Sequence, residues 1–427
     1  MNSPADPAGY GNGHSWTSRL ESGDIIFVGS SAGEPTALID GLLALPHSAP
    51  PVTIMQFPHG GAERLVKAAR PGMRFVGFAA NPAVVALQDH GIGSYGLSTF
   101  FQSAEAIRHG LLPIDVALIQ VAPPDPKGRF SLGVAVDVAL DAARRARLVV
   151  AQVNHWMPRT HGDCFLTGNE IDVFIEADSK LPNRPTLIPD EQAVGVAAHV
   201  VGLVPDEATI QIGVGETLTA VMEGLRRHRD LTIHTGLFVE PMIPLIEAGV
   251  VTDKFARLPG RVAVANQATG SRTVADFVHD NSAVAFMPAS YTHDPAVLRE
   301  QHNLRAINGA LEVDLFGRVN SEYVNGKRVG SAGGLLDFVR AAREADGGRS
   351  IIALRSTTPD HARTKIVARL NSPGSCTIDA DLSDIVVTEH GVAELVGASA
   401  EERVRRMIAI ADPAYRDQLA HQVAALT

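Results

Sequence analysis

Cysteine is scarce in this chain: Cys164 and Cys376 are the only two in 427 residues. Two thiols cannot staple a protein of this size, so both are expected reduced, in a cytoplasmic protein. Long apolar runs are missing too. None reaches the ~18 residues of a membrane span, so no membrane partner is expected. There is no basic surplus: the net charge of −10 argues against a nucleic-acid partner. It does not exclude an anionic small molecule, because backbone amides bind phosphate on acidic proteins. The opening MNSPADPAGYGNGHSW lacks a basic-then-apolar signal and reads as a disordered lead-in over residues 1–20. His155, His161, Asp163 and Cys164 cluster in sequence, but their spacing fits no standard zinc pattern, so no metal is expected.

What remains is an ordinary globular composition, 45% hydrophobic and 20% charged, long enough for two domains. Asp24–Val28 reads as a strand, Gly29 and Gly33 as a glycine turn, and Leu38, Leu42 and Leu45 as one helical face. Those glycines serve either turn geometry or a substrate-facing loop. Strands are expected at Val52–Phe57, leading to HGGAERL, and at Arg74–Phe78, leading to a helix with proline near its start. Pro113–Val121 is a near-continuous apolar run, as in a parallel strand buried on both faces. Helix Val136–Arg145 and strand Leu148–Val153 follow.

Ser179–Asp190 is rich in proline and polar residues and reads as a linker between domains 21–185 and 190–427. The second half then repeats the first: helix Glu191–Leu203, strand Thr209–Ile212, turn Gly213-Val214-Gly215, and a helix marked by Leu218, Val221, Met222 and Leu225. Further strands are expected at Leu231–His234, Val262–Ala265, Ala283–Met287, Ile351–Leu354 and Ile385–Thr388. Pro288–Pro295 reads as a loop, and helices Glu401–Ile410 and Tyr415–Ala425 as peripheral cover. The pattern predicts an α/β fold of two open domains with mostly parallel sheets. Whether the halves are duplicated or merely analogous stays open at this point.

Three stretches carry a family resemblance. Asp115–Val134 reads DVALIQVAPPDPKGRFSLGV, Val153–Asp163 reads VNHWMPRTHGD, and Leu231–Gly249 reads LTIHTGLFVEPMIPLIEAG. Together they resemble the acetyl-CoA hydrolase/transferase family, which includes 4-hydroxybutyrate CoA-transferase, over about Asp24–Ala425. The resemblance implies two CoA-transferase-like domains and an acyl-CoA substrate. No permanently bound cofactor is expected, and the partner expected is a second copy in a homodimer. In that family the third stretch reads "H-[ST]-E", and its glutamate is the nucleophile that takes up CoA. Here the matching position is Gly236.

The remaining site residues are weighed on both grounds. Gly333 and Gly334 precede a helix beginning near Leu335 and can turn bare amides into a cleft, or simply pack a tight turn. The resemblance makes Gly334 the oxyanion donor for the thioester. Glu389, in VTEHG at the end of an apolar strand, is a rim residue or a cap by itself. By resemblance it is part of the active site, as a general base or a partner to one. His293 stands where the family has a substrate-holding asparagine. Its unperturbed pKa near 6.5 suits base catalysis, so His293, Glu389 and Gly334 form the expected catalytic set. Gly213, Gly215, Gly236, Gly333, Met157 and Arg159 are the expected substrate- and CoA-binding residues. The leading expectation is hydrolysis or acyl transfer without a glutamyl-CoA intermediate. Alternatives are a conventional transferase using Glu240, whose place before Pro241 also suits a helix start, or a catalytically silent CoA-binding subunit.

Overall fold

The computed structural model describes residues 15–56, 66–67, 69–78, 80–96, 98–370 and 376–424; the HGGAERL stretch lies outside them. The chain parts into two units. The first comprises Met1–Ser98, Gln102–Asn183 and Asn266–Ser290, the second Thr99–Phe101, Arg184–Ala265 and Tyr291–Thr427. Residues 266–290, expected with the second domain, thus cluster with the first. The reason is hydrogen bonding: Val136 N–H donates to Asn266 O at 3.0 Å, Ala268 N–H to Val134 O at 2.8 Å, and Ala289 N–H to Asp137 O at 2.7 Å.

In the first unit the strands are β1 (Ile25–Val28), β2 (Val52–Gln56), β3 (Met73–Gly77), β4 (Gly93–Tyr95), β5 (Val116–Val121), β6 (Leu148–Val153) and β7 (Val173–Glu176). They pair in the order β7-β6-β5-β1-β2-β3-β4, all parallel. Every residue of β5 and β6 is buried, as their continuous apolar runs require. Helix α1 (Thr36–Leu43) turns Leu38, Ile39 and Leu42 onto the sheet. Helix α2 (Pro82–Asp89) starts with Asn81 as its cap, accepting from Val84 N–H at 2.8 Å, and with proline in its first turn. The expected lead-in ends earlier than residue 20. Ser15–Arg19 forms a 3₁₀ turn, and Trp16, fully buried, fills the space that Gly41 of α1 leaves open. Strand β4 and helix α3 (Phe100–Arg108) were not legible as such: β4 is three residues long, and the polar face of α3 masks its apolar period.

The second unit contains β8 (Thr209–Ile212), β9 (Thr232–His234), β10 (Ala263–Ala265), β11 (Arg305–Gly309), β12 (Arg349–Ala353), β13 (Ile385–Thr388) and β14 (Gly391–Glu394). They run in the order β14-β13-β12-β11-β8-β9-β10, with only β14 antiparallel to its neighbour. Helix α4 (Glu191–Val201), capped by Asp190, and helix α5 (Glu216–Gly224) flank the start, and helix α6 (Leu335–Glu344) connects β11 to β12. Between β9 and the helix Ile243–Glu247 an additional strand, Leu237–Val239, intervenes. The expected loop Pro288–Pro295 instead coils into short helices, Ala289–Thr292 and Pro295–Leu298, the second capped by Asp294. Val313, Val339, Ile352, Val386 and Met407 form the core of this unit.

Both units place their first long parallel strand in the middle. From β1 the chain steps to β2, β3 and β4 on one side, then returns to β5, β6 and β7 on the other. From β8 it steps to β9 and β10, then returns to β11, β12 and β13. In each sheet the strand order therefore reverses beside the first strand, the place where open α/β sheets hold ligands.

Candidate active site

At the reversal point of the second unit, Gln211 of β8 and Asn308 of β11 exchange side-chain hydrogen bonds of 3.1 and 2.9 Å. Beyond them lies a cavity of about 350 Å³, lined by the turn after β8 (Val214, Gly215, Glu216), by Gly309 and Ala310 after β11, and by Arg355 and Lys365. Gly215 has φ +131° and nothing within 4 Å of where a Cβ would stand, so the backbone here is bare and open. Arg355 lies two residues beyond the end of β12, and its side chain is only 12% exposed. It pairs with Asp190 at 2.8 Å and with Glu216. Lys365 is held below its ordinary pKa by burial and by Arg355.

Ser356, the next residue, fixes Glu389. Its N–H and Oγ donate to the Glu389 carboxylate at 2.9 and 2.7 Å, and Gln192 Nε2 adds a third bond at 3.1 Å. Glu389 and His390 form the two-residue turn of the β13–β14 hairpin, closed by Gly391 at φ +138°. The strand end thus holds the carboxylate at the rim, as its position after an apolar strand implied.

His293 and Gly334 meet. A Cβ built on Gly334 would lie 2.2 Å from His293 Nε2, so only glycine fits at 334 beside this imidazole. The ring stacks on Phe100 at 5.4 Å and meets Phe338 edge-on at 4.9 Å. Its Nδ1 lies 2.9 Å from Thr292 Oγ1. From β9, His234 Nε2 donates to the Thr292 carbonyl at 2.9 Å and anchors the same segment. Phe101 N–H in turn donates to Asp337 of α6 at 3.2 Å, next to the stacking Phe100. Gly333, with φ +52°, faces the Phe100 ring.

Two expectations fail here. His293 does not titrate near neutrality: burial among aromatic rings, with His234 nearby, pushes its pKa down to about 3. Nor does it form one base system with Glu389, whose hydrogen bonds go to Ser356 and Gln192. In the first unit, Met157 is buried with its sulfur over Gly133, and Arg159 is held by Asp280 at 2.7 and 2.5 Å. The sequence cluster beside them disperses as well: His155 goes to Asp178, Asp163 to Arg144, and Cys164 to Thr160 and Ser131.

The matches to known proteins bear on all of these groups. Residues 13–183 match the acetyl-CoA hydrolase/transferase N-terminal domain, and residues 270–423 its C-terminal domain. The chain is 33% identical to the 4-hydroxybutyrate coenzyme A transferase of Clostridium kluyveri, over 95% of each chain. The chain belongs to the acetyl-CoA hydrolase/transferase family. A family relative from Geobacter metallireducens, a succinyl-CoA:cyclohexane-1-carboxylate CoA transferase, is 32% identical over 94% of this chain and 91% of its own. Among solved structures, RipA from Yersinia pestis superposes with a TM-score of 0.89 at 29% identity, covering 98% of this chain and 97% of RipA. A 4-hydroxybutyrate CoA-transferase from Porphyromonas gingivalis gives 0.81 at 26% identity, with 97% of each chain covered. Members of this acetyl-CoA hydrolase/transferase family are enzymes, and both transferases and hydrolases carry the fold.

Within this family chain, Gly236 is a half-buried bend between β9 and Leu237–Val239, and Glu240 opens the 3₁₀ turn Glu240–Met242. Sequence reasoning missed Phe100, Thr292 and Phe338, which box the imidazole, and Arg355, Ser356 and Lys365. Arg355 was the findable one: a cation two residues beyond a buried strand is a rim residue by position. The aromatic box had no local signal, since its members are far apart in sequence.

Proposed function

We propose that this enzyme processes acyl-CoA thioesters by hydrolysis, or by acyl transfer to a non-carboxylate acceptor, without a glutamyl-CoA intermediate. The observation that carries the reading is the cavity at the reversal point of the second unit, with bare backbone at Gly215 and the cations Arg355 and Lys365 beside Glu216. Such a cavity suits a polyanionic ligand such as coenzyme A. The thioester carbonyl points to the amides at Gly333 and Gly334. Glycine at 236 has no side chain to carry CoA, so the nucleophile is a water or an acceptor hydroxyl. Glu389, held by three hydrogen bonds, takes the proton as that oxygen attacks; the C–S bond then breaks and CoA leaves as its thiol. His293 is neutral in this scheme. Its Nδ1 pairs with the Thr292 hydroxyl, and its Nε2 lies beside Gly334. The same reading takes the protein as a cytoplasmic homodimer with CoA thioester as substrate and no resident cofactor.

The test is acyl-CoA consumption with and without a carboxylate acceptor, combined with borohydride trapping of any enzyme–CoA adduct. Turnover with no trapped adduct is expected. An adduct mapped to Glu240 overturns the proposal in favour of a conventional CoA-transferase, and CoA binding without turnover makes the chain a silent subunit.

A further inference from the structure

Only six lysines occur in the chain, at positions 67, 127, 180, 254, 327 and 365. Lys67, Lys127, Lys180, Lys254 and Lys327 are exposed, and Lys365 is half-buried. Its backbone is fixed on both sides, donating to Ser356 O at 2.7 Å and accepting from Val313 N–H at 2.9 Å. Its side chain lines the cavity beside Arg355. The charged groups that face it are Arg355, Glu312 and Glu389. Yet among the described residues its ammonium makes no hydrogen bond or ion pair. A half-buried lysine without such a partner is an amine held ready for chemistry.

We propose that Lys365 is a self-acylation site, taking the acyl group from a thioester bound in the cavity; this rests on the acyl-CoA reading given above. The neutral Nζ attacks the thioester carbonyl carbon, a C–N bond forms, and the C–S bond breaks. The nitrogen gives up one proton and CoA leaves as its thiol, so the products are N-acyl-lysine and free CoA with no further reactant. Burial and Arg355 lower the pKa of Lys365 while Glu312 and Glu389 oppose them, and the net downward direction raises the neutral fraction. Acylation removes one positive charge from the cavity, so enzyme kept in excess acyl-CoA loses affinity for its anionic ligand.

The experiment incubates the full chain with acetyl-CoA and maps acetylated peptides over time, with acetyl phosphate as a reagent that does not use the cavity. With acetyl-CoA, label should accumulate at Lys365 about tenfold faster than at the five exposed lysines, the minimum expected of an amine held beside the thioester. Free CoA should suppress that labelling, and acetyl phosphate should favour the exposed lysines. The rate at Lys365 should level off at a lower pH than the rates elsewhere. A parallel calorimetric titration with CoA separates the two ideas. If CoA binds and Lys365 is labelled no faster than the exposed lysines, self-acylation is wrong and the acyl-CoA reading stands. If CoA does not bind, the reading of the cavity falls, and this proposal falls with it.

Discussion

Both units reverse their strand order beside the first strand, but they furnish that point differently. In the first unit that point is laced by amides, beside a cavity of about 460 Å³ lined by Ala32, Val134, Trp156 and Lys180. Gln120 of β5 donates to Ala32 O and Glu34 O at 3.4 and 3.2 Å, Gln56 of β2 to Gly29 O at 3.3 Å, and Gln152 of β6 accepts from Ala37 N–H at 2.9 Å. Asn154 bridges Gln120 and Ser179 at 2.7 Å each. In the second unit a single amide pair closes the floor, and the space beyond it is open and charged. A shared kind of reversal offers a crevice twice, and side-chain choice lines one with amides and the other with charged groups.

The sharpest way to break this contrast is to disable the proposed base of the open unit. Glu389→Gln keeps the shape and removes the proton acceptor, and turnover should fall ~10²–10⁴-fold with CoA binding retained. Steady-state rates beside a CoA titration measure it; turnover within threefold would take Glu389 out of the mechanism. Next comes a matched pair across the two reversal points. Arg355→Ala should weaken CoA binding about 10- to 100-fold, each factor of ten being about 1.4 kcal/mol. Gln120→Ala should leave that affinity unchanged and lower stability by about 1–3 kcal/mol, since it strands the buried partners of Gln120. Equal losses of CoA affinity in both variants would erase the distinction between the two reversal points.

Gly334→Ala comes third. Its Cβ would overlap an imidazole that Phe100 and Phe338 confine, so a loss of about 1–3 kcal/mol in denaturant unfolding is expected. Adding His293→Ala should recover most of it. If the double variant is no more stable than Gly334→Ala alone, the contact is not what keeps residue 334 a glycine.

The smallest effects are in the pH dependence of stability. Burial holds His293 at about 3 and His234 at about 4, below the ordinary histidine value of 6.5. The unfolded chain takes up these protons below about 6.5, so their contribution is full above that pH and is lost as the pH falls. Asp137 and Asp141 of the first unit are raised to about 6 by burial, as is Asp337 of the second. A raised carboxylate acts in the opposite sense, its stabilisation being full below about 3.8 and lost as the pH rises through 6. His293→Asn should therefore flatten the loss on acidification, and Asp137→Asn the loss between about pH 4 and 6. Midpoints of urea unfolding across that range would show it. A His293→Asn curve parallel to the parent would mean the imidazole is hydrated in the native protein. Turnover should likewise show no limb near pH 6–7 from His293.

Much of the fold was legible because periodicity is local. β6, β8 and β13 fall where their apolar runs begin and end, and α2 starts where Asn-Pro directs it. The losses came where a short or polar-faced element gives little period, as with β4 and α3, or where compact turns read as loop, as at 289–298. Glu389 was legible as a strand-end residue and Gly334 as a glycine opening a helix. The role of His293 was misjudged because a pKa depends on what surrounds the ring, and its surroundings come from residues 100, 234, 292, 334 and 338.

By itself the sequence determined the α/β class, the parallel strands and the glycine turns, along with the long family stretches from Asp115 to Asp163. Those features rest on neighbours within a few residues, where propensity, capping and apolar spacing act. Tertiary structure alone decided that residues 266–290 join the first unit and that one reversal point is laced by amides while the other carries charged groups. It also decided that Arg159 is spent on Asp280 and that His293 is a neutral imidazole pressed on Gly334. Each of these depends on desolvation and on partners up to two hundred residues away, and no local pattern in the chain encodes which groups the fold will bring within 3 Å of one another.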